Sequence, residues 1–179
     1  MSEPTYNHDK FAEMLLYVVS QVEHDNTNGD TKLNKLLYYA DVTAYRKTGR
    51  AISGARYKHQ THGPIAIALW PVREELEEQE RLKVSENRLP NNAVQRRTYA
   101  LDEVDTDLFD DGELEIVDEV IERFRGCKAE EMAAFAHEEP AWRMTEDEEE
   151  MTYRSSLLVR NPTPAATAFG GQLAERLGL

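Results

Sequence analysis

The residue types best suited to metal binding are five histidines and one cysteine in a chain of 179 residues. His59 and His62 lie three positions apart, and His137 precedes two glutamates. The first pair falls in a predicted passage from strand to loop, where side chains three positions apart point to opposite sides. The sequence has no HExxH motif and no cysteine pair, which are the usual sources of further ligands. We therefore predict no metal site.

Cys127 is the one candidate thiol nucleophile. Arg125 and Lys128 flank it, as basic residues flank some reactive thiols, but a small buried or capping residue fits equally well, and we favour that interpretation. The sequence contains no GxSxG, no GxxxxGK[ST] and no GxGxxG motif. Nothing distinguishes one carboxylate pair among 34 acidic residues. The sequence therefore predicts no enzyme and no cofactor.

Composition places the chain among soluble globular proteins, with 40% hydrophobic and 31% charged residues. No apolar run approaches the roughly 20 residues that a membrane span needs. The first ten residues lack the pattern of a secretory signal. A single cysteine excludes an intramolecular disulfide and favours a cytoplasmic location. The net charge of −13 disfavours nucleic acid and suits a basic protein partner, although acidic surfaces also serve solubility alone.

Hydrophobic periodicity predicts the first helices. These helices must position the residues of any functional site. Apolar residues at helical spacing predict a helix over residues 8–23. Asp30 or Thr31 should begin a second helix, which should end at Gly49 because glycine readily adopts the left-handed conformation of a C-terminal cap. A third helix is predicted from Pro64 to about Arg81.

Pro71 should kink or split that third helix, because proline lacks an N–H donor. Two short strands, at residues 82–85 and 97–101, predict a two-stranded wing, and residues 52–62 predict a short strand or hairpin. Residues 102–122 contain eleven acids and no lysine or arginine, yet apolar residues keep a helical period in their second half.

The remaining segments complete a mainly α, α+β prediction with a small antiparallel β element. We expect a short helix over residues 128–136 and a solvated acidic loop over residues 146–150. Residues 1–160 should form a single domain, and residues 161–179 a C-terminal tail with a short helix.

The predicted second helix carries polar residues that do not suit a purely structural role. Tyr38, Asp41 and Tyr45 share one face, and Arg46 and Arg50 follow at its end. Tyrosine and arginine are frequent at protein interfaces, so these five residues are candidates for partner binding. Tyrosines also often straddle core and solvent, and the residues alone leave both interpretations open.

Three segments together resemble a known family, the SocA-like or Panacea domain. Residues 32–41, KLNKLLYYAD, resemble its KLxKLLYYA helix, and residues 62–64, HGP, resemble its xGP turn. Residues 137–142, HEEPAW, are similar to its (T/S)HxExAW element, with Ala136 in place of the hydroxyl residue. The resemblance covers roughly residues 8–155. The motif positions here are Lys32, Lys35, Tyr39, His62, Gly63, Pro64, His137 and Trp142.

The resemblance implies a compact, mostly helical antitoxin of a bacterial or phage toxin–antitoxin system. It would neutralise a cognate toxin by direct binding; one alternative is an adaptor that delivers the toxin to an AAA+ protease. A DNA-binding regulator associated with a phage or plasmid is a third hypothesis, which the charge disfavours. The oligomeric state is open, and the acidic residues 102–119 are a further candidate surface for a basic toxin.

Residues shared by a family with unrelated partners should support the common fold. That argument assigns Lys35, Tyr38 and Tyr39 to the scaffold. It leaves Tyr45, Arg46 and Arg50 as the better candidates for a specific partner.

Overall fold

The computed structural model describes residues 3–89 and 92–158. Within these residues it contains six α-helices and two small antiparallel sheets, which confirms the predicted mainly α, α+β class. The helices are α1 (His8–Gln21), α2 (Asp30–Thr48), α3 (Leu69–Glu78), α4 (Glu113–Arg123), α5 (Ala129–His137) and α6 (Pro140–Arg143). The strands are β1 (Tyr57–Lys58), β2 (Ile65–Ala66), β3 (Leu82–Arg88), β4 (Val94–Ala100) and β5 (Glu150–Met151).

Helix α2 is the centre of the domain. Its C-terminal cap is Gly49, with φ of 78°, and its last turn carries Arg46 and Lys47, which suit the negative end of the helix. Helices α1, α4 and α5 and strand β2 all contact it. Because neighbours surround it, every residue from Lys32 to Val42 is buried, polar ones included. A helix buried all round belongs to the core of a domain.

The prediction of the first helix is confirmed and that of the third is partly wrong. Asn7 caps α1, where its Oδ1 accepts a hydrogen bond from Lys10 N at 3.0 Å. Helix α3 begins at Leu69 rather than at Pro64, because Pro64 belongs to the turn before β2 and residues 65–66 form β2. Pro71 is then the third residue of α3, where the missing N–H has no intrahelical acceptor to lose. The predicted kink is therefore wrong.

Both sheets are small, and in one of them strands far apart in the sequence pair with each other. The predicted two-stranded wing is confirmed: β3 pairs with β4 from Leu82 opposite Ala100 to Arg88 opposite Val94. The region of residues 52–62 contributes β1, which pairs with β2 across the 62–64 turn and also with β5. Only two residues of each strand pair in this sheet, so its sequence signal is weak.

The acidic region begins as an exposed segment and becomes a helix, as predicted. A short 3₁₀ turn over Thr106–Leu108 is capped by the carboxylate of Asp105, and α4 follows. Helix α5 is confirmed within a residue at each end, whereas α6 was not predicted. Residues 146–149 are exposed. The predicted tail at residues 161–179 lies outside the described residues, and no described helix is long and apolar enough to cross a membrane.

Candidate protein-docking site

The turn at residues 62–64 packs directly against α2. The Nζ atom of Lys35 donates a hydrogen bond to the Pro64 carbonyl oxygen at 2.8 Å, and Asn34 Oδ1 accepts one from Ala66 N at 2.9 Å. Gly63 has φ of +93°, and a Cβ atom there would lie 2.6 Å from Lys35 Cε. The glycine is therefore required both by the backbone conformation and by the close approach of Lys35.

The same turn is held from its other side by the HEEPAW element. The Trp142 ring lies between the rings of His59 and His137, with centroid distances of 4.2 Å to each. Trp142 Nε1 donates to the Gln60 carbonyl at 3.2 Å, and His137 Nε2 lies 2.9 Å from the Thr61 carbonyl oxygen. His59 and His137 therefore serve packing and turn geometry, whereas His62 is exposed. Among the described residues, no three potential ligands gather into a metal site.

Lys32, one turn before Lys35, lies in a fully bonded cluster. Its Nζ atom donates to Asp25 Oδ2 at 2.7 Å, to Thr27 Oγ1 at 2.9 Å and to the Cys127 carbonyl at 2.9 Å. Burial by itself would raise the pKa of Asp25, but hydrogen bonds from Lys32 and Thr27 outweigh it and lower this pKa to about 2. These hydrogen bonds fasten the start of α2 to the turn before it, at Asp25 and Thr27, and to the segment between α4 and α5, at Cys127.

Tyr38, Asp41 and Tyr45 do not form a surface. Their exposed fractions are 2%, 0% and 1%, so the prediction that they face a partner is corrected. The carboxylate of Asp41 accepts hydrogen bonds from Ser53 N at 2.7 Å and Ser53 Oγ at 2.6 Å, and the Tyr57 hydroxyl lies 2.8 Å from it. Burial raises the pKa of Asp41, and these hydrogen bonds act in the opposite direction. Asp41 is therefore satisfied inside the domain, whereas the buried hydroxyl groups of Tyr38 and Tyr45 have no hydrogen-bond partner among the described residues.

Arg46 and Arg50 have different surroundings. Arg46 Nη2 pairs with Glu139 Oε2 at 2.7 Å, and Arg46 Nε donates to the Ser156 carbonyl at 2.7 Å. Arg46 therefore ties α2 to the start of α6 and to the segment after β5. Arg50 is exposed just beyond the C-terminal end of α2. Tyr39, assigned to the scaffold, is 1% exposed and packs against Phe124, which agrees with that assignment.

A surface that sequence reasoning missed lies where β2 passes into α3. We name it the Trp70 face and define it by Ile65, Ile67, Trp70 and Pro71. Trp70 is 43% exposed and Ile67 37%. The available signal was that Trp70 lies off the apolar stripe of the third helix, and an apolar aromatic residue off that stripe faces solvent.

The Trp70 ring is held in place by the residues beneath it. The guanidinium of Arg73 lies 4.2 Å from the ring centroid, and that of Arg96 lies 6.0 Å from it. Arg73 is buried, and its Nη1 atom pairs with Asp30 Oδ1 at 2.6 Å. Since Asp30 opens α2, the ring is connected to the central helix through one buried ion pair.

Two recesses flank the Trp70 face. On one side is an apolar groove of about 300 Å³, whose walls include Tyr6, Ile67 and Pro71. On the other is a more polar cavity of about 450 Å³, which we name the Lys35 cavity. Its walls are formed by Asp30, Thr31, Asn34, Lys35, Gln60, Thr61, His62, Ile65 and Trp70.

This arrangement is that of a small helical domain whose motif residues fasten its own core and which exposes two large apolar residues, Ile67 and Trp70, where β2 passes into α3. A scan against protein families matches residues 33–143 to the family described as antitoxin SocA-like, Panacea domain. The match spans more than half of the chain, and the protein belongs to this antitoxin family. Searches of curated proteins and of solved structures find no match. Family membership supports a role in a toxin–antitoxin system, and a toxin as the partner.

Proposed function

We propose that the protein neutralises a cognate toxin by binding it directly, without catalysis, through the Trp70 face. The observation that carries this proposal is the exposed Trp70 ring, held by Arg73 between two recesses. Tryptophan is among the residues most enriched at binding hot spots, and a ring already fixed in position loses little entropy on binding.

The distribution of polar residues supports the same surface. The family-motif residues Lys35, His137 and Trp142 make their contacts within the domain. Contacts of this kind support the fold, so we place the centre of recognition at surface residues outside the motifs. The apolar groove beside Ile67 gives a partner side chain a place to bury, as the centre of a protein interface requires.

The overall charge suggests what kind of surface the toxin presents. A net charge of −13 favours association with a protein that has a basic surface. Several carboxylates of the acidic region are already engaged inside the domain: Asp102 pairs with Arg81, and Glu113 with Lys10. We therefore assign this region to long-range attraction rather than to the centre of the interface, and association should slow as salt concentration rises.

The test is co-expression of the protein with the product of the adjacent reading frame. Trp70→Ala should abolish growth rescue and weaken binding by about 30- to 1,000-fold, the loss typical of a hot-spot residue. Met144→Ala is the matched control, because Met144 is apolar, 70% exposed and outside the Trp70 face. Arg50→Ala, at the far end of α2, should change binding less than about threefold if the interface centres on Trp70.

Three results would contradict parts of this proposal. A folded Trp70→Ala variant that protects cells as well as the wild type would remove the Trp70 face from the interface. Toxin that disappears only when an AAA+ protease is present would indicate an adaptor instead of direct neutralisation. A shift of the upstream promoter DNA in a gel, with no binding to the neighbouring protein, would indicate a regulator.

A further inference from the structure

The buried basic side chains of the described residues are not all neutralised. Lys32, Lys35 and Arg73 are each 5% exposed or less. Lys32 pairs with Asp25 at 2.7 Å and Arg73 with Asp30 at 2.6 Å. Lys35 has no carboxylate within ion-pair distance in the part of the chain that the structure describes. Buried charges in proteins are normally paired, so the unpaired lysine calls for an explanation.

The hydrogen bonding of Lys35 is also incomplete. Its Nζ atom carries up to three hydrogens, and within residues 3–89 and 92–158 it makes a single hydrogen bond, to the Pro64 carbonyl. Burial lowers the pKa of this amine to about 7. The side chain is 1% exposed and contributes to the wall of the Lys35 cavity.

The rest of the cavity also favours an anion. Asp30 is the one carboxylate in its wall, and that carboxylate is bonded to Arg73. Thr31 and Thr61 add hydroxyl donors, and the first turn of α2 lies at the same wall, where backbone N–H groups have no intrahelical acceptor. The cavity therefore combines donors and a buried amine with no free carboxylate of its own.

We propose that the Lys35 cavity receives a carboxylate of the bound toxin, from an aspartate or glutamate side chain that enters beside Trp70 and pairs with Lys35. This inference rests on the proposed function, since it names one contact within that interface. The carboxylate supplies the partner that Lys35 lacks among the described residues. In a site closed from water such a pair is much stronger than on an open surface.

The affinity test compares two lysines of one helix. Lys35→Met should weaken binding of the adjacent-frame toxin by roughly 10- to 100-fold, the usual cost of a hydrogen bond to a charged group. Lys47→Met removes the same charge from an exposed position of α2 and is the matched control. Equal affinity of the Lys35→Met variant and the wild type would overturn the inference.

Proton uptake gives a second, independent readout by calorimetry in two buffers of different ionisation enthalpy. At pH 8, binding should take up about 0.9 proton, because pairing would restore a proton to Lys35; at pH 6 uptake should fall to about 0.1. The other charged or titratable side chains around the cavity are Asp30 with Arg73, His62 and His137. A His62→Gln variant should retain the uptake at pH 8, and the Lys35→Met variant should lose it.

The outcomes separate this inference from the function on which it rests. If the wild type does not bind the toxin at all, the proposed function fails. If it binds without proton uptake, and Lys35→Met binds as tightly, direct neutralisation stands and Lys35 serves only to fasten the turn at Gly63. Uptake that vanishes only in His62→Gln would assign the anion contact to His62 and overturn the role of Lys35.

Discussion

Lys32 and Lys35 lie one turn apart on α2, and each is 1% exposed, yet their surroundings differ in charge. Among residues 3–89 and 92–158, Lys32 has a carboxylate, a hydroxyl and a carbonyl as acceptors, whereas Lys35 has one carbonyl. Burial of a lysine amine is costly in both places, but within the part of the chain that the structure describes only Lys32 has a carboxylate that offsets this cost. The comparison shows that two lysines of one sequence motif can differ: Lys32 has its charge paired, whereas Lys35 fastens the turn at Pro64 through one hydrogen bond and has no carboxylate partner among the described residues.

The largest effect should come from removing the paired lysine. Lys32→Met leaves Asp25 without its cation and should reduce the free energy of unfolding by about 3–5 kcal/mol, as expected when one partner of a buried pair is removed. Urea denaturation followed by circular dichroism measures this loss. Lys47→Met, at an exposed pair, should cost less than about 1 kcal/mol. Similar losses in both variants would show that the Lys32 cluster is not a structural anchor.

The unpaired Lys35 should make the stability of the protein depend on pH. The pKa of Lys35 falls from 10.5 to about 7 on folding, so between pH 7 and 10.5 the unfolded chain binds more protons than the folded one. Stability should therefore rise with pH across this window. Between pH 7 and 9 the wild type should gain about 2–3 kcal/mol relative to Lys35→Met, at 1.36 kcal/mol for each pH unit.

Lys35→Met is the reference because the other titratable groups are the same in both proteins. Their contributions to the pH dependence of stability therefore cancel in the difference. At pH 7 the variant should be at least as stable as the wild type, since it buries no charge. A difference between the two proteins that does not change with pH would contradict the assignment of a lowered pKa to Lys35.

A smaller effect should come from the glycine that touches Lys35. Gly63 and Gly112 both have positive φ, of 93° and 81°, so alanine is strained at either position. At Gly63 the new Cβ would also lie 2.6 Å from Lys35 Cε and 2.9 Å from Ala136 Cβ, while at Gly112 it would meet nothing within 4 Å. Gly63→Ala should therefore destabilise the protein by about 1–3 kcal/mol more than Gly112→Ala. Equal losses in thermal unfolding would show that crowding at Lys35 is relieved cheaply.

Much of the fold could be predicted because its strongest signals are local. The periodicity of α1 and α4, the glycine that ends α2 and the paired strands β3 and β4 all follow from neighbouring residues. The start of α3 was predicted wrongly because Pro64 suits a first helical turn as well as it suits the turn before β2. A turn and a strand form here instead of a helix because Lys35 and Asn34 of α2 hydrogen-bond to the backbone at Pro64 and Ala66.

The site was harder to predict than the fold. Tyr38 and Asp41 have interface-like side chains, and their burial depends on distant residues such as Tyr57, whose hydroxyl meets Asp41. Trp70 was not predicted as a site residue because a single exposed residue produces no periodic pattern in the sequence. The unpaired state of Lys35 could not be predicted at all, because charge pairing in a core is set by side chains far apart in the chain.

The measurement that tests this account most directly is the pKa of Lys35 itself, followed by NMR of its labelled Cε in the free protein and in the complex with the toxin. We expect a pKa of about 7 in the free protein, and a value near or above the ordinary 10.5 once a carboxylate of the toxin occupies the cavity. A pKa that stays near 7 in a complex that has formed would contradict it.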